Sequence, residues 1–159
     1  MRAVLIIMLM LTGPMQALAD ELAVVFNGKA VHLEDGDYNE KNWGLGLNYD
    51  WTPKNNWIKF LNASYFQDSN DNFSKYAGGG IKYRFYLEKD KDGWRADLGG
   101  IAFLMTRVDY NDNNPFFGVL PFAALSYGPA TINMTYIPPV SPKHKQLLFF
   151  QLMIRVATF

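Results

Sequence analysis

The chain has 159 residues, no cysteine, no net charge, and aromatic side chains at 16% of its positions. That length suits one domain; without cysteine there is neither a disulfide nor thiolate chemistry, and a balanced charge argues against nucleic acid as a partner. The aromatic share is the kind found in chains that lie across a membrane interface.

Residues 1–19 read as a secretory leader: Arg2 supplies a positive charge, AVLIIMLML an apolar core, and Ala17-Leu18-Ala19 an A-x-A cleavage site. The apolar run is too short to cross a bilayer as a helix. The mature chain is expected at residues 20–159, as a single domain without linkers or repeats.

From there the pattern has a period of two. In WGLGLNYDW, Trp43, Leu45, Leu47, Tyr49 and Trp51 share one face, and Gly44, Gly46, Asn48 and Asp50 the other. In AGGGIKYRFYLE, Ala77, Gly79, Ile81, Tyr83 and Phe85 oppose Gly78, Gly80, Lys82, Arg84 and Tyr86. Such alternation predicts strands with one apolar and one polar or small face. Eight runs qualify, at about 22–33, 43–51, 57–67, 75–88, 94–107, 116–127, 130–138 and 145–159. Short separators (52–56, 89–93, 128–129) alternate with longer polar ones (34–42, 68–74, 108–115, 139–144). Short turns at one end and longer loops at the other predict an all-β fold: an eight-stranded, antiparallel, up-and-down transmembrane β-barrel in the bacterial outer membrane. Trp43, Trp51, Tyr136 and Phe159 lie at the ends of apolar faces, where a girdle would sit. A soluble β-sandwich is the alternative. The last run fits poorly, because unbroken alternation puts Arg155 on the face of Phe159. Either a bulge re-phases the strand or Arg155 sits low.

With both termini at the short-turn end, the first and third strands finish at the outer rim. His32 and the pair Asp68-Ser69 then lie at one height. A hydroxyl, a base and a carboxylate are the materials of acyl chemistry, although Asp and Ser here also suit a plain loop cap. Tyr38, Asn39 and Glu40, in the adjacent first loop, are candidates for holding lipid headgroups or for a solvated loop. Gly78 and Gly80 share the inward face of the fourth strand and would open space in a narrow interior. No metal and no cofactor is expected.

The stretch VLPFAALSYGPATINMTYIPP (119–139) resembles the corresponding region of PagP-type lipid A palmitoyltransferases, small eight-stranded outer-membrane enzymes. YNEKNWGLG (38–46) resembles the family's Y-N-E-x-x-W-G-x-G, and FQDS (66–69) its F-x-D-S. The resemblance implies catalytic roles for His32, Asp68 and Ser69, a pocket floor at Gly80, and gate prolines at Pro121 and Pro138. It implies transfer of a palmitoyl chain from a glycerophospholipid to lipid A by a monomeric enzyme. Three features depart from the family: no N-terminal amphipathic helix is evident before the first strand, the stretch from His32 to Tyr38-Asn39-Glu40 is shorter, and Asn42 replaces a proline that helps open a lateral gate. A non-catalytic small barrel and, less readily, a lipid A deacylase are the competing readings.

Overall fold

A computed structural model describes residues 19–33, 40–51, 55–108, 110–139 and 146–159. The expected leader, apart from Ala19, lies outside the described residues, as do Tyr38 and Asn39. Eight strands follow in order: β1 (Glu21–His32), β2 (Lys41–Trp51), β3 (Trp57–Gln67), β4 (Phe73–Tyr86), β5 (Arg95–Thr106), β6 (Phe116–Tyr127), β7 (Ala130–Ile137) and β8 (Leu147–Thr158). Each pairs antiparallel with its sequence neighbours, and β1 also pairs with β8, closing the barrel. Most strands are 11–14 residues long, enough to cross a bilayer, which takes about 9–11 residues when tilted. No α-helix precedes β1 among the described residues.

The two faces of the wall settle the choice between membrane barrel and soluble sandwich. Leu45, Leu47, Leu61, Ile81, Leu98, Leu104 and Ile132 point outward and are exposed, while Asn27, Asn48, Asp50, Asn62, Lys82, Arg84, Asp97 and Gln151 are buried inside. An apolar exterior around a polar interior has nothing to gain in water and is what a lipid solvent demands. Aromatic residues mark both ends of the apolar band. Trp57 packs on Tyr83 and Trp94 on Tyr127 at the short-turn end. Trp43 and Tyr65 pack on Phe73 at the other.

The lower interior is plugged by charge. Lys82 Nζ lies 2.6 Å from Asp50 and 3.3 Å from Asp97. Arg84 makes a two-pronged pair with Asp97 at 2.9 and 3.0 Å. Above this plug runs a belt of amides: Gln151 donates to Asn27 (2.7 Å) and to Tyr76 Oη (3.0 Å), Tyr76 donates to Asn62 (2.7 Å), and Asn62 donates to Asn48 (3.1 Å). Buried polar groups are tolerable only when mutually satisfied, and these networks tie together strands distant in sequence.

Arg155 belongs to the lower plug. The β1–β8 register shifts between Leu22 and Ala23, so Val156 has no partner on β1. This bulge re-phases the strand: Arg155 turns inward to Glu21 (2.8 Å), and reaches Asp92 in the β4–β5 connection (2.7 Å), while Phe159 remains exposed.

Candidate active site

The upper half of the barrel holds a cavity of about 550 Å³, within the 300–1,000 Å³ range usual for ligand sites. Its wall is mostly apolar: Ala30, Phe66, Phe149, Met105 and Leu147 near the mouth, then Phe103, Leu120, Ile101, Phe122 and Phe60 lower down. Asn48, Lys82 and Thr131 line its polar end.

His32, Asp68 and Ser69 all line this cavity. His32 is the last residue of β1. Asp68 continues the inward phase of β3 after Phe66, and is only 2% exposed. It is also a turn cap. Its Oδ1 accepts the N–H of Asn70 (2.9 Å) and of Asn72 (3.1 Å), and the turn closes through the Asp68 N–H to the Asn72 carbonyl (2.7 Å). Asp71 takes a left-handed φ of 63° within it, which Asp tolerates better than most residues. The cap and the cavity-facing carboxylate are therefore one residue. Its other oxygen faces the interior, where Ser74 Oγ donates to Oδ2 (2.8 Å) and Arg107 Nε approaches to 3.6 Å. Arg107 lines the same cavity. A carboxylate this deeply buried needs such partners, because desolvation penalises its charge.

Glu40 lies just before β2 and pairs with Lys29 at 3.4 Å on the exterior. Pro138 lines the cavity, and Pro121 sits on the outward face of β6. Gly78 and Gly80 face inward, but they do not line the cavity. A side chain at Gly80 would meet the Gly100 carbonyl, and its Cβ would lie 2.6 Å from Phe60 Cζ. At Gly78 a Cβ would lie 2.6 Å from that of Phe103. The glycines admit aromatic rings instead of leaving space open, and the cavity wall at this level is Phe60, Ile101 and Phe103.

The cavity also opens sideways. The β6–β7 ladder runs only from Phe122↔Thr135 to Tyr127↔Ala130. Above it, Phe116–Pro121 of β6 have no ladder partner on β7. Pro121 supplies no N–H at the point where the ladder stops. Phe117 and Val119 point outward, at 67% and 62% exposure, yet both line the cavity, so the void reaches the lipid-facing surface through this seam.

Ser74, Arg107 and Phe60 escaped sequence reasoning. Ser74 reads as an ordinary strand residue, and a lone arginine after β5 reads as a solvated rim charge. Only the inward phase of β4 offered a signal for Ser74.

A family model described as "Antimicrobial peptide resistance and lipid A acylation protein PagP" matches residues 26–152. Proteins named lipid A acyltransferase PagP are similar to this chain. That of Salmonella typhi is 36% identical over 104 residues, covering 64% of this chain and 52% of the relative. That of Legionella pneumophila (strain Corby) is 41% identical over 102 residues, covering 64% and 51%. The chain thus spans about half the length of the curated relatives it matches. The solved backbone structure of the Yersinia pestis outer membrane protein Ail in a phospholipid bilayer nanodisc superposes with a TM-score of 0.43 at 13% identity, over 86% of this chain and 99% of that one, too loosely to carry an argument.

Proposed function

Because this chain belongs to the PagP family of lipid A acylation proteins, we propose that it is an outer-membrane acyltransferase that moves a palmitoyl chain from a glycerophospholipid to a hydroxyl on lipid A. The observation that carries the reading is the coincidence of His32, Asp68 and Ser69 at one largely apolar cavity that opens toward lipid. An apolar shaft suits a hydrocarbon chain, and polar groups at its mouth suit the ester.

The chemistry is acyl transfer without redox change. His32 takes the proton from the attacking hydroxyl as that oxygen bonds to the ester carbon. The carbon–oxygen bond to the phospholipid glycerol breaks, and His32 returns its proton to the leaving lysophospholipid oxygen. Ser69 serves as nucleophile in a two-step transfer, or as a hydroxyl donor to the carbonyl oxygen as it gains charge. The family resemblance assigns Asp68 the role of carboxylate partner to His32, and the hydrogen bond from Ser74, with the Arg107 guanidinium 3.6 Å away, holds it in place. Glu40, with Tyr38 and Asn39, is assigned to headgroup contacts at the rim. The enzyme acts as a monomer, and residues 1–19 are its export leader.

The mass of lipid A from cells expressing this chain tests the reading. A gain of one palmitoyl group supports it. Loss of an acyl chain would favour a deacylase, and no change would favour a non-catalytic barrel.

A further inference from the structure

The bulge that turns Arg155 inward gathers three guanidiniums around one carboxylate at the foot of the barrel. Arg155 Nη1 lies 2.8 Å from Glu21 Oε1, Arg84 Nη1 lies 3.7 Å from Oε2, and Arg95 Nη1 lies 3.9 Å from Oε1. Two of the three have a second acid at close range: Asp97 for Arg84 (2.9 and 3.0 Å) and Asp92 for Arg155 (2.7 Å). Arg95 does not, since Asp92 stands 3.9 Å from it. Its Nη2 donates to the Gly128 carbonyl. Its Nε has no hydrogen-bond partner among the described residues, although Arg95 is only 4% exposed. A guanidinium carries five N–H donors, and removing its charge from water is costly unless the group is paired and bonded.

These side chains wall a small pocket of about 30 Å³ below the cavity. Its lining holds four cations, Lys82, Arg84, Arg95 and Arg155, against two carboxylates, Glu21 and Asp50, an excess of two positive charges. Asp50 is already engaged by Lys82 at 2.6 Å. Asp92 and Asp97, the other acids of the plug, do not line this space. A water molecule needs roughly 10–15 Å³, so the pocket has room for about two waters or one monatomic anion and is too small for a phosphate group. Water would satisfy the Arg95 Nε–H but would leave the excess charge unopposed.

We propose that this pocket binds a small inorganic anion of chloride's size, held by Arg95 together with Arg84 and Arg155, and that the anion fastens β4, β5 and β8 to one another at the foot of the barrel. The pocket shares Lys82 and Thr131 with the wall of the cavity above, but anion binding needs no acyl transfer and stands or falls apart from that reading.

The whole protein, folded in an uncharged detergent and unfolded with urea, provides the test, because urea adds no ions. Chloride replaces gluconate at constant ionic strength, so that screening stays fixed. Chloride should raise the folding equilibrium constant along a saturable curve, about tenfold at ten times its Kd. Saturable broadening of the chloride NMR resonance by the folded protein reads binding directly. Inorganic phosphate should not reproduce the stabilisation. Arg95→Gln should abolish both chloride effects. Glu21→Gln, which removes the carboxylate that the three guanidiniums share, should tighten chloride binding, where a cluster that serves only to pair its own charges would gain no affinity for chloride. Equal stability in chloride and gluconate with no broadening overturns the proposal and gives the space to water. So does phosphate that matches chloride, or a chloride response that survives Arg95→Gln. If Arg95→Gln does not fold, the wild-type titration and Glu21→Gln decide, and a chloride affinity that is unchanged or weaker in Glu21→Gln overturns the proposal.

Discussion

Phe60 is predicted to set the length of acyl chain that the cavity accepts. Its ring lies beside Gly80, meets Phe122 edge-on at 5.5 Å between centroids, and has the Lys82 ammonium 5.6 Å from its own centroid. Below it the wall becomes charged, so a hydrocarbon chain that passes the ring meets Lys82 and Asn48. Truncation by Phe60→Ala removes the ring while Gly80 adds no side chain beneath it. Each extra methylene buried is worth about 0.8 kcal/mol, so room for about three would favour a longer donor by at most about 2.4 kcal/mol, or roughly 50-fold. The milder Phe60→Leu should move the preference the same way and less far. Purified variants in detergent or vesicles, given mixtures of phospholipids that differ only in acyl length, report this as the ratio of transferred chains. The Gly80→Ala variant is the counterpart. Its Cβ collides with the Gly100 carbonyl as well as with Phe60, so it should lower stability, by about 1–3 kcal/mol for overpacking, and not simply shorten the selected chain. An unchanged chain-length profile in a folded Phe60→Ala barrel would refute the reasoning and move the ruler elsewhere along the shaft.

Ser69→Ala and His32→Ala should each leave a folded, heat-modifiable barrel on gels, with transfer slowed about 10²–10⁴-fold for loss of a positioned acid–base group; wild-type rates in both would remove these residues from the mechanism. Ser74→Ala should destabilise the barrel in urea titrations by about 1–3 kcal/mol, because the Asp68 carboxylate loses a buried donor. Arg107→Met should do the same and slow transfer, with partial rescue by Arg107→Lys, which restores charge without the guanidinium's shape; full activity in Arg107→Met would show that the guanidinium 3.6 Å from Asp68 contributes nothing to it. At the opposite end, the hydrogen bond from Arg155 holds the Asp92 carboxyl below its ordinary pKa. That pair therefore stabilises the fold fully at neutral pH and is lost as pH falls through the depressed value, so Asp92→Asn should flatten the acid limb of the stability curve and leave neutral pH behaviour otherwise similar.

The fold was legible because alternation is a strong signal when the two faces have different solvents. Lipid outside and a polar interior force the period-two pattern of WGLGLNYDW and of IKYRFY, and the strand limits follow within a few residues. The last strand resisted because one unpaired residue, Val156, inverts the phase of everything after it, and a bulge leaves no mark in composition. The height of His32 relative to Asp68 was also legible, since strand direction alone sets it. What held Asp68 was not. Ser74 reaches it from β4 across the turn, 6 residues on, and Arg107 from beyond β5; a serine in a strand and an arginine far along the chain carry no local mark of that contact.

Gly80 and Asn42 show two further ways in which sequence runs out. A glycine declares missing volume but not who fills it, and here Phe60, paired to it across β3 and β4, takes the space. Asn42 declares a replaced proline, which on its own says only that a backbone N–H and a side-chain amide have been gained. Their effect depends on whether partners stand within reach, and the partners are the Ala30 N–H and the Gln67 carbonyl, 12 and 25 residues away. Asn42 and Phe60 stand at different heights of one cavity wall. Asn42 lines the upper wall near the start of β2, and Phe60 lines it lower down, where the chain-length stop is predicted. A double variant, Asn42→Ala with Phe60→Ala, separates them, because the residues lie at opposite ends of the cavity with no shared hydrogen-bond partner, and effects at distant sites add. The chain-length profile of the double variant should match that of Phe60→Ala alone, while its loss of stability in urea titrations should exceed that of Phe60→Ala by the amount Asn42→Ala costs alone. A length profile that changes again when Asn42 is removed would mean that the two residues act on the same part of the wall, and that Phe60 is not an independent stop.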